Sequence, residues 1–190
     1  MSETIAAEIR VGGKVAASLV PQLCQRIAQE VVALDWGEGR FSPMTREDLL
    51  EAREDRDGVL LLCLYDDQAR WGEFAELETF LREHGLAFER LSDAKYEYSA
   101  QVASFRPKTG LVELTTDPQH RPIVLAEELE PLGMSLSRVI RQIEQGDVQK
   151  ALRAAKRGER LLKRLLPLKV PPLEPFEIVA VKPQEADRGQ

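Results

Sequence analysis

The sequence predicts an α+β fold: a mixed sheet of about five to six strands with a βαβ unit and an antiparallel meander, helices packed on it, and a C-terminal helical pair. Three observations carry this. Apolar residues recur at steps of three and four over 19–31, 74–81 and 136–166, the period of a helix with one buried stripe. The run Val59 to Tyr65 is apolar nearly throughout, as a strand covered on both faces is. Residues 95–126 divide into β-type runs separated by Lys108-Thr109-Gly110 and by Asp117-Pro118-Gln119-His120, both turn material.

Each element has its own local reason. Ile9, Val11 and Val15 alternate around Gly12-Gly13, which predicts a strand bulged or turned at the glycines. Leu19, Val20, Leu23, Cys24, Ile27, Ala28 and Val31 then share one helix face, with Ser18 as the expected cap and Pro21 in the first turn, where a missing N–H costs little. After a loop, Thr45 and Asp48 have the spacing of a capping box, and Met44 is placed to pack on Leu49, so "MTREDLLEARED" predicts a short helix. The strand over 59–65 follows. A helix with Phe74, Leu77, Phe80 and Leu81 inward comes next and stops at Gly85. "LAFERL" completes strand–helix–strand, which implies a βαβ crossover.

"KYEYSAQVASFRP", "GLVELTT" and "RPIVL" are the three expected strands of the meander. From Ser135 the helical period returns, with Leu136, Val139, Ile140 and Ile143 in one stripe. Gly146 stops that helix and Asp147 caps the next. The last helix is expected to bury Val148, Leu152, Ala155, Leu162 and Leu165 or Leu166, to bend at Gly158, and to end at Pro167. The organisation read from this is a core over 1–130, a helical extension packed on it over 131–166, and a proline-rich tail over 167–190 that is disordered beyond 180.

Composition narrows the function classes. The chain has 190 residues, 43% hydrophobic and 31% charged, enough apolar material for one core. No run approaches the ~20 apolar residues of a membrane span. The N-terminus lacks the basic-then-apolar order of a secretory leader. Cys24 and Cys63 both lie in apolar patterns, as small buried residues rather than a disulfide framework. A cytoplasmic location is the expectation, without a membrane.

Charge is segregated. The net is −6, yet residues 35–98 hold 17 acidic and 8 basic residues, while residues 147–169 carry a net of +6. Lys150, Arg153, Arg157, Arg160 and Arg164 follow three- and four-residue steps and can share one helix face, flanked by Lys156 and Lys163. Such a row suits an acidic protein groove or nucleic-acid phosphates. A solvated face, or one neutralised by the chain's own acids, is the plainer alternative. The 35–98 segment could itself mimic nucleic acid. In the tail, Leu173, Phe176, Ile178 and Val179 are expected to pack back on the domain or dock into a partner.

Catalytic signals are thin. Asp66, Asp67 and Trp71 follow an apolar strand and form the candidate ligand site, because α/β sheets bind ligands at strand ends. The competing reading is a turn that aspartate terminates through its hydrogen bonds. His84 and His120 have no His or Cys at metal-ligand spacing, so no metal is expected. "VGGK" over 11–14 lacks the phosphate-loop spacing, and no nucleophile elbow is present. The expectation is a non-enzymatic adaptor or regulatory protein with no cofactor, using the basic helix and the proline-rich tail. A protein is its foremost partner and nucleic acid the alternative. An enzyme or small-ligand binder at Asp66, Asp67 and Trp71 comes third.

Overall fold

The computed structural model describes residues 3–165 and 170–180, with the side chains of residues 164 and 165 outside the described set. In chain order the elements are β1 (Thr4–Gly12), β2 (Lys14–Ala16), α1 (Val20–Gln29), α2 (Arg46–Glu51), β3 (Arg53–Arg56), β4 (Val59–Arg70), α3 (Ala75–Glu83), β5 (Ala87–Ser92), β6 (Ala100–Arg106), β7 (Gly110–Thr116), α4 (Ala126–Glu144), α5 (Val148–Leu165) and β8 (Glu177–Val179). The fold is α+β with a C-terminal helical pair, as the sequence predicts.

Six strands form one sheet in the order β3-β4-β1-β5-β6-β7, and every neighbouring pair in it is antiparallel. β4 and β5 both oppose β1, so they run parallel to each other with β1 between them. The predicted βαβ crossover thus spans an antiparallel strand. β2 and β8 make a separate parallel pair.

α1 and α3 cover one face of the sheet. Leu23, Cys24 and Ile27 of α1 and Leu77, Phe80 and Leu81 of α3 share one buried cluster with Ile9, Val11, Leu62, Leu64 and Phe88. The tail completes it. Phe176 and Ile178 belong to the same cluster, and Gly13 N–H donates to the Glu174 carbonyl at 2.9 Å. A Cβ on Gly12 would lie 2.4 Å from that carbonyl, so only glycine allows the tail so close. Of the two outcomes expected for the tail, packing back is the one found over 170–180. Leu166 and the residues beyond 180 lie outside the described set.

A buried charged pair lies against this core. Arg90 is buried; its Nε lies 2.9 Å from Glu78 Oε1, and its Nη1 donates to the Gly72 carbonyl at 2.8 Å. Glu78 in turn accepts the Phe74 N–H at 3.1 Å. Burial pushes the Glu78 carboxyl above its ordinary value, and Arg90 opposes that shift.

Several local expectations are corrected. "REDR", read as the end of a helix, is β3. It makes a hairpin with β4 through Asp57 and Gly58, both at positive φ, as a two-residue primed turn requires. "RPIVL" is not a third meander strand; Thr116 bridges Pro122, and α4 begins at Ala126 rather than Ser135. Thr45 and Asp48 do form the capping box, but Met44 and Val31 are exposed, so neither packs inward. Ser18 lies in a 3₁₀ turn and makes no cap. The helical pair starts at 126, not 131, and its helices pack chiefly on each other. Val148, Leu152 and Leu162 are exposed, and Ala155 also faces outward; Ala151, Ala154 and Gly158 take the buried positions instead.

Two substitutions test which contacts hold the core. Phe176→Ala should cost about 3–5 kcal/mol, the range for deleting a fully buried aromatic. Arg90→Met should cost about 3–5 kcal/mol, because Glu78 stays buried without its cation. Urea unfolding of each variant measures both. A loss below about 1 kcal/mol for Phe176→Ala would mean that the tail is not part of the core.

Candidate functional site

Two surfaces carry concentrated charge. The first is an acidic cleft of about 570 Å³ between the end of α1 and the far half of β4, lined by Glu30, Asp35, Trp36, Glu38, Asp66 and Asp67 among others. β4 does not end at Tyr65. It continues to Arg70, and its register against β1 shifts between Ile5 and Ala7, opposite Ala69 and Asp66. One extra residue is accommodated there, so the two aspartates mark a β-bulge inside a strand rather than a strand end.

The bulge explains how two adjacent carboxylates reach the same cleft, which regular alternation forbids. Asp66 Oδ1 accepts the Gln68 N–H at 2.8 Å, and Asp67 Oδ2 accepts the Gly37 N–H at 3.2 Å. Both side chains therefore have a structural task, tying the bulge to itself and to the 35–38 loop. Trp71 is not in the cleft. It has a positive φ and packs edge-on against Tyr98, with centroids 5.8 Å apart. Trp36 occupies the cleft instead, edge-on to Tyr65 at 5.0 Å. Its signal in "DWGEG" was a lone aromatic in a loop, and sequence alone gave no reason to bring it to β4.

Burial raises the Asp66 carboxyl above its ordinary value, and it raises Glu30 likewise, although Glu30 Oε1 accepts the Leu77 N–H at 3.2 Å. Among the described residues no group of three or more His, Cys, Asp or Glu could hold a metal ion. Cys24 and Cys63 are both buried and unpaired with each other, and burial lifts the Cys63 thiol to about 11, so it stays protonated at neutral pH. His84 sits at the end of α3 with its ring on Phe80, and His120 Nε2 lies 3.6 Å from Asp93.

The second surface lies on the α4–α5 hairpin. Gly146 at positive φ turns the chain, and Asp147 Oδ1 accepts the Lys150 N–H at 3.0 Å, capping α5 as expected. Arg138 and Arg141 of α4 and Lys150, Arg153, Arg157 and Arg160 of α5 line one groove between the helices. Four of the seven predicted residues are thus brought together. Lys156 and Lys163 do not line it; Lys163 pairs instead with Glu159 at 2.8 Å. The Arg164 side chain lies outside the described residues. Arg138 and Arg141 were missed, although their three-residue spacing was readable once α4 and α5 were known to be antiparallel neighbours.

In the groove only Lys150 has a carboxylate partner among the described residues, Asp147 at 2.8 Å, which holds the Asp147 carboxyl below its ordinary value. No ion pair among the described residues joins these cations to the acidic 35–98 segment. No family model, curated protein or solved structure matches the chain.

The cleft makes a pH prediction. A carboxyl raised by folding binds more protons in the folded than in the unfolded state between its ordinary and its raised value. Its ionisation therefore lowers stability as pH rises through that window, above the ordinary glutamate value of 4.5. Glu30→Gln keeps the acceptor for Leu77 and removes this cost. It should leave the protein at least as stable at pH 7 and flatten the stability profile above pH 4.5, as measured by urea unfolding across pH. A clear loss of stability at pH 7 would show that the charge itself is needed.

Proposed function

We propose that this chain is a non-enzymatic interaction protein, an adaptor or regulatory component, that holds an acidic protein partner on the basic side of the α4–α5 hairpin. The observation that supports this reading is the charge state of the groove. Arg138, Arg141, Arg153, Arg157 and Arg160 have no carboxylate within 4.0 Å among the described residues. A guanidinium is always charged and presents several donors in a fixed fork, so a row of them suits carboxylates held at regular spacing. The helices also fix the row in place before a partner arrives, which lowers the ordering cost of binding.

The tail contributes differently from the sequence expectation. Phe176 and Ile178 are spent in the core, so among the described residues the proposed partner surface is the hairpin. Nucleic acid on the same groove is the second reading, favoured by the predominance of arginine. No aromatic side chain lines the groove, so binding of that kind would follow phosphates rather than bases.

Ending the chain after the core is not a usable test, because it removes Phe176. The test is the double variant Arg153→Glu/Arg157→Glu, used as bait in lysate with and without nuclease. The expected result is a partner captured by the parent chain, retained after nuclease, and lost at least about tenfold with the variant. Capture abolished by nuclease, with a steep fall in affinity as salt rises, would favour the nucleic-acid reading. Capture unaffected by the variant would overturn both.

A further inference from the structure

Away from the hairpin, three turns and the returning tail border a cavity of about 350 Å³. It lies at the end of the sheet where β1 and β6 finish and β5 and β7 begin. Lys14 enters from the β1–β2 turn, Leu86 from the α3–β5 turn, Pro107 and Lys108 from the β6–β7 turn, and Pro172 and Glu174 from the tail. The cavity depends on the tail packing back. Gly13 N–H donates to the Glu174 carbonyl at 2.9 Å, and Arg106 Nε donates to the Pro171 carbonyl at 2.8 Å.

Arg106 lines this cavity and is only 6% exposed. Its Nη1 donates to the Phe88 and Phe105 carbonyls at 2.7 and 3.0 Å. With the Pro171 carbonyl, three neutral acceptors therefore fix the guanidinium, and none supplies the opposite charge. Among the described residues Nη2 makes no hydrogen bond. The one carboxylate oxygen within 4.0 Å, Glu89 Oε1, stands 3.9 Å away and already accepts from Ser104 Oγ at 3.0 Å. Burial holds the guanidinium below the usual arginine range, and Glu89 opposes only part of that shift. A buried cation left in this state is stabilised by any anion brought to its free N–H groups.

We propose that this cavity binds a small phosphate monoester, its phosphate on Arg106, Lys14 and Lys108 and its organic group against Leu86, Pro107 and Pro172. Lys14 and Lys108 are exposed and form no ion pair among the described residues. The lining thus sets three cations, Lys14, Arg106 and Lys108, against the single carboxylate of Glu174. A phosphate monoester matches that excess, with a charge of about −1.5 to −2 at neutral pH and three acceptor oxygens. A carboxylate brings one charge and two oxygens. The guanidinium supplies directed donors and the two ammonium groups supply point charges, a pairing suited to phosphate. The volume lies at the small end of ligand cavities, which run from about 300 to 1,000 Å³, so the organic part is on the order of one small ring. The "VGGK" stretch lacks the spacing of a phosphate loop, and here it contributes a lysine side chain instead.

Equilibrium dialysis of the full chain against phenyl phosphate tests the proposal. The expected result is saturable uptake that inorganic phosphate displaces, with benzoate bound at least about tenfold more weakly. Arg106 also holds the tail, so its substitution would confuse binding with folding, and the lysines carry the test. Lys14→Glu/Lys108→Glu should weaken uptake at least about tenfold without changing urea unfolding, since both side chains are exposed. Arg153→Glu/Arg157→Glu should leave uptake unchanged, which separates this cavity from the hairpin groove. No saturable uptake up to about 1 mM, uptake indifferent to the lysine pair, or benzoate bound as tightly as phenyl phosphate overturns the proposal. A phosphoserine peptide bound more tightly than phenyl phosphate overturns it too, because the occupant would then be another protein.

Discussion

The close approach of α4 and α5 on Ser135, Ala151, Ala154 and Gly158 is the constraint on which the surface chemistry of this protein depends. Helices that meet through leucine and isoleucine stand about 8–10 Å apart and bury those side chains between them. Here Ser135, Ala151, Ala154 and Gly158 are the buried residues of the seam, with Leu132 beside Gly158, while Leu136, Ile140, Ile143, Val148, Leu152 and Leu162 stay exposed outside it. They fall to one side of the hairpin and the arginines to the other. A single packing choice thus produces both an apolar side and a cationic side. Gly158 matters for its lack of a side chain, since any Cβ there would press on Ser135.

The sheet unit, by contrast, is closed on itself. α1, α3 and the returning tail cover one face of it, and Arg90 links β5 to the start of α3 through Glu78 and Gly72. On the other face, Glu8 binds Arg10 at 2.6 Å and Arg56 at 3.4 Å, while Tyr65 donates to Glu54 at 2.9 Å. These charges are matched locally. Among the described residues no carboxylate of the sheet pairs with the groove arginines, and the large apolar residues of the hairpin are exposed. The acidic cleft beside the β4 bulge is a different case, because its aspartates and Glu30 already accept backbone N–H groups.

Sequence pattern was most informative where one face is buried against the sheet. Leu23 and Ile27, Leu77 and Leu81, and the run from Leu61 to Tyr65 all lie where periodicity placed them. It failed where a residue's environment is set by a distant segment. β3 is entirely charged and is held by its turn and its pairing with β4, so Asp57-Gly58 was its one legible signal. Val148, Leu152 and Leu162 were read as buried because apolar period alone cannot say what lies opposite, and among the described residues nothing covers them. The basic row was half legible for the same reason: one helix supplied four of its members, and Arg138 and Arg141 became part of it only through the antiparallel turn at Gly146.

The proposal that rests on this segregation is that an acidic partner takes the arginine side of the hairpin and leaves the apolar side untouched. Hydroxyl-radical footprinting of the full chain, alone and with a captured acidic partner, distinguishes the two sides. Leu136, Ile140, Ile143, Val148 and Leu152 should keep their exposure when the partner is added. The partner should instead slow the modification of the Arg138–Arg141 and Arg153–Arg160 side. Protection of both sides by the partner, or of the apolar side alone, would contradict it.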